Sequence, residues 1–483
     1  MPPADARPAA LARPFLRLDP DTPIPMRAQA RRDAERSRMI YIDDDGTTRV
    51  VDVKLRPRAI RREQHAYLAR LTQAVVRAQR RVARIFFHEP ALREVLPLEP
   101  REEEVLRELH TRRALDGPIL GRIDTNTPLG DPDWRRAIRI FEVNSVGVGG
   151  IDYVVSTERI VAAGLALRPS GGRLRAGPDL RDHLLRAIVA HARSLGAPRP
   201  SIALVEERTP GGTLELEAFR DHFRARGFRT VIADPREVES RPRGLYAAGT
   251  RVDIVYRDIE LRDLLALDGG AADVAGMLRA FAERRVLSAP CAELDHKSLL
   301  EVFTDTRWAG LFAAADLRLL RAHALWTRLL FERVTTSWDG PTVDLEKLVR
   351  SRRRELVLKP NRSFGGKGVV LGRHVGAREW QRAVDAALSR PASCVVQRFA
   401  RIRGSPSLPP PVPRAWSASS PISASTPSAP ASASSAAPPP RRSSTSPPVA
   451  ASPPSCGRSS LPTSRDVLEA RLLRGARRLA RGR

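Results

Sequence analysis

Apolar positions recur with different periods in different parts of the chain, and each period predicts a kind of element. In AYLARLTQAVVRAQRRVARIF, residues 66–86, the apolar side chains recur at helical spacing. The helix face that this spacing predicts consists of Leu68, Leu71, Val75 and Val76. Between residues 119 and 150, short alternating runs are separated by Pro and Gly, which predicts two strands joined by a loop.

Helix and strand patterns alternate from about residue 180 to about residue 290. The strand-like runs are SIALVEE, RTVIADP and VDIVYRD, and the helical segment LEAFRDHFRARG lies between the first two. Strands that alternate with helices in this way are typical of an open, largely parallel sheet covered by helices. The predicted fold class is therefore α/β.

The stretch LVLKPNRSFGGKGVVLG, residues 356–372, combines a strand, a glycine-rich turn and a second strand. Strand alternation places Val357 and Lys359 on one face, and the glycines allow backbone N–H groups to approach a ligand closely. The GxxxxGK[ST] spacing of a phosphate-binding P-loop is absent. Taken alone, the stretch is equally consistent with an ordinary hairpin and with a loop that covers phosphates.

The chain changes character after Arg403, where Ser, Pro and Ala dominate to about residue 463. Such a composition cannot bury enough apolar surface to fold. One interpretation is a flexible linker to a short basic helix; the other, which we favour, is a shift of reading frame near codon 404. The tail begins directly after the strand-like CVVQRFA, where a domain would be expected to continue.

Composition excludes several classes of protein. An apolar content of 42% is enough for real cores, whereas no run of about 18 apolar residues is present that could span a bilayer. The N-terminus lacks a continuous apolar signal segment, so we expect a cytoplasmic protein without a membrane anchor. The three cysteines lie far apart, which argues against a disulfide framework or a zinc site.

The formal charge of +27 raises the question of nucleic-acid binding. Residues 404–483 account for +9 of this charge, and the remainder is spread over the preceding chain. Runs such as Arg352-Arg353-Arg354 lie in helix-like stretches, where charged side chains usually form a solvated face. Nucleic-acid binding is therefore the weaker alternative.

Lysine is rare in this chain. Only five of the 82 basic residues are lysines, namely Lys54, Lys297, Lys347, Lys359 and Lys367. A chain so rich in Arg is expected to keep Lys where a compact ammonium is needed, as in a point contact to phosphate. For Lys54 and Lys347, chance is a sufficient explanation.

Two strand-like segments carry paired polar residues at i, i+2 spacing. In GRIDT these are Arg122 and Asp124, and in FEVNS they are Glu142 and Asn144. Side chains two apart on a strand share a face, and carboxylate and amide oxygens suit Mg²⁺ and the phosphates that it bridges. Half-exposed strands also carry polar alternation without any ligand, and the pattern alone leaves both interpretations open.

Four short motifs follow one another along the chain: R-x-D at Arg122 and Asp124, E-x-N at Glu142 and Asn144, a lysine element at Lys297, and Lys359-Pro360 with its glycine loop. Their order and residue types resemble the ATP-grasp ligases in the circularly permuted arrangement of the glutathionylspermidine synthase-like families. In that arrangement the magnesium-binding strands precede the ATP-binding lysines. The resemblance covers about residues 119–403.

The resemblance implies an ATP- and Mg²⁺-dependent ligase that joins a small-molecule or peptide carboxylate to an amine through an acyl phosphate. By this resemblance, Lys297 and Lys359 would contact the phosphates, and the loop with Gly365, Gly366 and Lys367 would close over them. Gln397 would lie beside adenine, and Arg122 would stabilise the transferring phosphoryl group. Asp124, Glu142 and Asn144 would bind Mg²⁺. Arg398 stands where the family commonly has an acidic or neutral residue, and the tail replaces further strands of the nucleotide-binding sheet. The alternative is therefore an inactive or truncated ATP-grasp remnant that acts as a binding protein.

The predicted organisation has six parts. They are a disordered leader (1–35), a helical segment with the metal-binding strands (36–195), an α/β substrate-binding region (196–290), an ATP-binding region with the glycine loop (291–403), a low-complexity segment (404–463) and a short basic helix (464–483).

Overall fold

The computed structural model describes residues 23–42, 47–53, 60–164, 177–208, 214–267, 273–363 and 365–400. The predictions of a low-complexity segment over 404–463 and of a basic helix over 464–483 lie outside these residues, as does the first part of the predicted leader. The described residues all fall within one compact unit, Met1–Pro413.

The helices of the described residues are, in chain order, α1 (Pro23–Arg36), α2 (Arg62–Ile85), α3 (Pro90–Val95), α4 (Pro100–Thr111), α5 (Trp134–Ala137), α6 (Ile151–Gly164), α7 (Leu180–Ser194), α8 (Leu214–Ala225), α9 (Leu261–Leu265), α10 (Ala275–Ala282), α11 (Leu299–Thr304), α12 (Ala314–His323), α13 (Leu345–Ser351) and α14 (Ala377–Leu388). The strands are β1 (Ile40–Ile42), β2 (Thr48–Val50), β3 (Arg122–Thr125), β4 (Ile140–Asn144), β5 (Ile202–Val205), β6 (Thr230–Ala233), β7 (Val238–Arg241), β8 (Gly244–Ala247), β9 (Thr250–Val252), β10 (Ile254–Arg257), β11 (Val286–Leu287), β12 (Thr327–Leu329), β13 (Val334–Thr336), β14 (Thr342–Asp344), β15 (Leu356–Pro360), β16 (Val370–Leu371) and β17 (Cys394–Arg398). The mixed α/β class predicted from the sequence is confirmed.

The long helix α2 has the amphipathic character that its sequence predicts. Leu71 and Val75 are buried, and Leu68 packs against the same core. That core also takes in Val143 of β4 and the apolar residues of α11. Burial of this stripe, at roughly 25 cal/mol per Å² of apolar surface, holds α2 behind the β3–β4 pair.

A parallel sheet with the strand order β11-β10-β5-β6 forms the centre of residues 177–290. All four residues of β5 and of β10 are buried, as expected for parallel strands covered on both faces. Ala203 and Val255 face a core shared with α4 and α10, whereas Leu204 and Tyr256 face α7 and α8. The predicted open parallel sheet is confirmed for these four strands.

A three-stranded antiparallel unit, β7-β8-β9, was not predicted from the sequence. Its strands, VESR, GLYA and TRV, are only three or four residues long, so their alternation carries little apolar signal. Gly244 opens β8 at a φ of +125°, a backbone angle that favours glycine.

A second four-stranded sheet, β12-β17-β15-β16, is antiparallel throughout. Helices α13 and α14 cover one face, where Trp380 is fully buried and donates its indole N–H to the Val349 carbonyl at 3.0 Å. The glycine stretch is thus a hairpin, because β15 pairs with β16 through Val357 and Leu371.

The expectation of a disordered leader over 1–35 is wrong for residues 23–35, which form most of α1. Ala30 and Ala34 are buried against Ile160 and Val161 of α6. The helix was missed because alanine, a strong helix former, gives a weak apolar periodicity.

No helix in the described ranges combines the length and the apolar character needed to cross a bilayer.

Candidate active site

Strands β3 and β4 bring the two predicted polar pairs onto one surface. They are antiparallel, with Arg122 opposite Asn144 and Asp124 opposite Glu142. Residues directly opposite one another on neighbouring strands point to the same face, so all four polar side chains share a face. The intervening Val143 is buried on the other side in the helical core.

Arg122 and Asp124 form a two-bond ion pair. The Nε and Nη2 atoms of Arg122 lie 2.8 Å and 3.3 Å from the carboxylate oxygens of Asp124. The Nη1 atom donates to the Gly149 carbonyl at 2.9 Å. The hydrogen bonds to Asp124 stabilise the charged guanidinium of Arg122 and raise its pKa further.

Lys297 connects the carboxylate strands to the chain that follows β15. Its Nζ atom lies 3.3 Å from a carboxylate oxygen of Glu142 and donates to the Ser363 carbonyl at 2.5 Å. Its backbone N–H donates to the Asn361 carbonyl at 3.1 Å, and the next N–H, of Ser298, donates to the Asn361 side chain at 3.0 Å. A lysine far from the strands in sequence therefore lies beside them in space.

Lys359 lies on β15, half-buried beside the same charges. Burial lowers the pKa of its ammonium, Lys297 lowers it further, and Glu142 and Asp124 act in the opposite direction. Two ammonium groups and two carboxylates thus occupy one half-buried surface, where their interactions are stronger than in water.

The glycine loop begins next to this surface. Gly365 and Gly366 have φ angles of +69° and +74°, and a Cβ atom on either would meet nothing within 4 Å. Both positions are exposed, as is Lys367. The backbone is therefore open on the side where a ligand could approach, and left-handed φ values explain the use of glycine.

Gln397 lies behind the β3–β4 face, and its side-chain amide is hydrogen-bonded within the protein. Its Nε2 atom donates to the Phe141 carbonyl and to the Thr327 hydroxyl, both at 3.0 Å. Both hydrogens of the amide are used, so this side chain acts as a brace between β4 and β17. A contact between Gln397 and adenine stays a prediction.

Two residues that sequence reasoning missed fix the start of the glycine loop and the end of β4. Arg362 forms two bonds to the buried Glu102, at 2.6 Å and 2.8 Å. Asp295 accepts from the Ser145 backbone N–H at 2.5 Å, and burial raises the pKa of its carboxyl to about 7. Their partners are distant in sequence, and no local pattern identifies them.

Arg257, the last residue of β10, has a structural role at the edge of the parallel sheet. Its guanidinium is 1% exposed and bonds to Glu293 and to the carbonyls of Ser288 and Ile259. A buried arginine with a buried carboxylate partner holds α9 to the sheet edge.

The donor set on the β3–β4 face fits a hard divalent cation. Asp124 and Glu142 lie opposite one another, Asn144 adds an amide oxygen, and all three are half-buried. Oxygen donors of this kind are the ligands that Mg²⁺ prefers, and the nearby lysines suit the phosphates that accompany it.

Comparison with known proteins assigns a fold to the described chain. It resembles the apo form of a glutathione synthetase-like effector from Globodera pallida with a TM-score of 0.52 and 11% identity, over 80% of this chain and 84% of that one. The chain has a glutathione synthetase-like fold. At 11% identity, this comparison shows a similar fold and nothing further.

Sequence relatives carry no named function. The chain is 26% identical over 276 residues to uncharacterised proteins of Mycobacterium tuberculosis (H37Rv) and Mycobacterium bovis, and 26% identical over 270 residues to one of Mycobacterium leprae. The longer match covers 55% of this chain and 46% of the relatives, so it spans about half of their length. No family model matches the chain.

Proposed function

We propose that the chain is an ATP- and Mg²⁺-dependent carboxylate–amine ligase of the ATP-grasp type, with the metal-binding strands before the ATP-binding lysines. The observation that carries the proposal is the contact of Lys297 with Glu142 and with the start of the glycine loop. It joins the lysine, carboxylate and glycine elements on one surface. The glutathione synthetase-like fold supports the same class of chemistry.

In this proposal each polar residue has a defined place. Lys297 and Lys359 bind the phosphates, and Asp124, Glu142 and Asn144 hold Mg²⁺, which supplies neutralisation of phosphate charge. Arg122 faces the phosphoryl group in transfer. The Gly365–Gly366 backbone closes over the phosphates and excludes water.

The reaction has two displacements. A substrate carboxylate oxygen attacks the γ-phosphorus, the bond to the β,γ-bridging oxygen breaks, and ADP leaves. A neutral amine then attacks the acyl carbon, a C–N bond forms, and inorganic phosphate departs with the electron pair of the C–O bond. The chain contributes position and charge rather than a general base.

The finer assignments belong to the same proposal. They are the permuted order, the division into metal-binding (36–195), substrate-binding (196–290) and ATP-binding (291–403) regions, and the low-complexity tail. The competing candidate, an inactive remnant, is favoured by the full engagement of the Gln397 amide within the protein.

Thermal denaturation with and without Mg-ATP tests the proposal. A ligand at about one hundred times its Kd stabilises the folded state by about 2.7 kcal/mol, which is a shift of several degrees. Stabilisation by Mg-ATP, followed by ADP release in the presence of a carboxylate and an amine, is the expected result. No shift at saturating Mg-ATP would remove the ligase assignment, whereas a shift without turnover under any substrate pair would favour the inactive remnant.

A further inference from the structure

Asn361 joins the segment of Lys297 to the strand of Lys359. It follows Lys359 by two residues, directly after β15, and it is 3% exposed. Its side-chain oxygen accepts the Ser298 backbone N–H at 3.0 Å, and its backbone carbonyl accepts the Lys297 N–H at 3.1 Å. One residue thus holds two successive N–H groups, the first of which belongs to Lys297.

The backbone of Asn361 is itself fixed to the antiparallel sheet. Its N–H donates to the Ser393 carbonyl at 2.8 Å, directly beyond the last β15–β17 pair, which joins Pro360 to Cys394. This bond extends the sheet by one residue. A group that Asn361 binds therefore has a defined place relative to Lys359.

The side chain of Asn361 acts through its oxygen. In the described part of the chain its Nδ2 atom is buried without a partner, whereas Oδ1 accepts from Ser298. Ser298 lies immediately before α11 and is fully buried, so water does not reach its N–H in place of Asn361. A buried N–H without an acceptor costs about 1–3 kcal/mol, and this cost favours the observed arrangement.

The ammonium of Lys297 is held from the same stretch of chain. Its Nζ atom lies 3.3 Å from a carboxylate oxygen of Glu142 and donates to the carbonyl of Ser363, two residues beyond Asn361. Because a lysine side chain is a flexible four-carbon stem, its ammonium has a defined place only where the backbone and the head are both held. Asn361 holds the backbone, and Glu142 and Ser363 hold the head.

We propose that Asn361 is a positioning residue, which fixes the backbone of Lys297 beside β15 and thereby sets the place of its ammonium relative to Lys359. The assignment rests on the proposed ligase function, in which both lysines bind the phosphates of one ATP molecule. The ammonium of Lys297 then exchanges Glu142 for a phosphate while its backbone keeps its place. A misplacement of about 1 Å in such a constellation can cost up to about a hundredfold in rate.

Nuclear magnetic resonance of the full chain, labelled with carbon-13 at lysine Cε, tests this placement without any nucleotide. The chain has five lysines, so each signal can be assigned by substituting one lysine at a time. In Asn361→Ala the Lys297 signal is expected to move toward that of the exposed Lys347. Asn361→Leu fills the volume that alanine leaves empty, and it is expected to give the same shift.

Asp344→Ala is the matched control for this measurement. It also removes a side-chain acceptor from a lysine backbone N–H, since Asp344 accepts from Lys347 at 2.9 Å at the start of α13. The Lys297 signal is expected to stay in place in this variant.

Calorimetry with Mg-ATP tests the consequence for phosphate binding. Asn361→Ala is expected to lower the affinity by about fivefold or more, which lies within the range for coupled residues. Combined with Lys297→Met, it is expected to have no further effect, because the ammonium that it displaces is then absent. A merely structural loss would instead lower the affinity by the same factor with and without Lys297→Met.

The outcomes separate this inference from the proposed function. An unmoved Lys297 signal in both Asn361→Ala and Asn361→Leu would overturn the positioning role even if the wild-type chain binds Mg-ATP. Additive effects of Asn361→Ala and Lys297→Met on the affinity for Mg-ATP would overturn it as well. A signal that moves in a chain without any Mg-ATP response would support the placement of Lys297 by Asn361 and remove the ligase proposal.

Discussion

The Nζ atom of Lys297 lies 3.3 Å from a carboxylate oxygen of Glu142, and this ion pair joins the β3–β4 face to the chain that leads into the glycine loop. Arg122 and Asp124 form a second pair on the same face. Lys297 and Arg122 are thus each paired with a carboxylate of this face. Binding of Mg²⁺ with a phosphate chain would exchange these partners, because the carboxylates then face the metal and the cations face the phosphates.

Glu142→Gln tests this exchange of partners. The substitution keeps the shape of the side chain and removes one charged metal ligand, so Mg²⁺ is expected to lose its effect on ATP affinity. In the wild-type chain Mg²⁺ should tighten ATP binding by at least about tenfold, in line with the 1.5–3 kcal/mol of a charged hydrogen bond. Calorimetry with ATP, with and without Mg²⁺, measures both values.

Glu108→Gln is the control for this measurement, since Glu108 forms an exposed pair with Arg112 on α4. A Mg²⁺ effect that persists in Glu142→Gln would show that the metal is held elsewhere.

Lys359→Met tests the phosphate contact. Methionine keeps the apolar stem and removes an ammonium whose pKa is lowered by burial, so the melting temperature is expected to stay level or to rise. The affinity for Mg-ATP is expected to fall by about tenfold or more. Thermal denaturation with a series of Mg-ATP concentrations measures both effects.

The same substitution at Lys347 provides the matched control, because Lys347 is an exposed lysine on α13. If the two variants respond to Mg-ATP equally, Lys359 does not contact the phosphates.

Arg362→Met tests the anchor of the glycine loop. The variant leaves Glu102, which is 1% exposed, without its arginine partner. Breaking a buried pair on one side costs about 3–5 kcal/mol, so the free energy of unfolding is expected to fall by several kcal/mol. Chemical denaturation measures the loss, and Arg112→Met, which breaks only an exposed pair, is expected to cost less than about 1 kcal/mol.

A second substitution separates the buried charge from other effects of Arg362→Met. Adding Glu102→Gln removes the unpaired carboxylate and is expected to restore part of the stability. If the double variant is less stable than Arg362→Met, the ion pair is not the source of the loss.

Local patterns predicted the elements of this fold but not the contacts between them. The strand alternation of GRIDT and FEVNS and the buried run of SIALVEE are periodic signals that depend on neighbouring residues alone, and all three segments form strands. The glycine hairpin was predictable for the same reason. Helix α1, which buries alanines, and the very short strands β7 to β9 lack such a signal.

The charged contacts between residues that are distant in sequence could not be predicted from the sequence. The partners of Lys297, Arg362 and Asp295 are set by how distant elements pack, and nothing in the neighbouring residues specifies them. Glu206 and Asp258 each look like ordinary polar residues at the end of a strand, and only the parallel register shows that they meet. Neither forms an ion pair in the part of the chain that the structure describes, and this is a property of the folded chain alone.

Glu206→Gln is expected to change how stability depends on pH. Burial, together with Asp258 and Glu215, raises the pKa of the Glu206 carboxyl from 4.5 to about 8. Between these values the folded chain holds a proton that the unfolded chain has released, so the wild-type free energy of unfolding falls as pH rises through this window. The pKa values of Glu215 and Asp258 are raised to about 7 and about 6, and Tyr256 stays protonated throughout.

The difference between variant and wild type removes the contribution of buried histidines with lowered pKa values, because these titrate alike in both proteins. Glutamine carries no charge at any pH, so the melting temperature of Glu206→Gln relative to wild type is expected to increase from pH 5 to pH 8.5. Glu207→Gln should show a constant difference over the same range. A constant difference for Glu206→Gln as well would mean that Glu206 ionises normally in the folded chain.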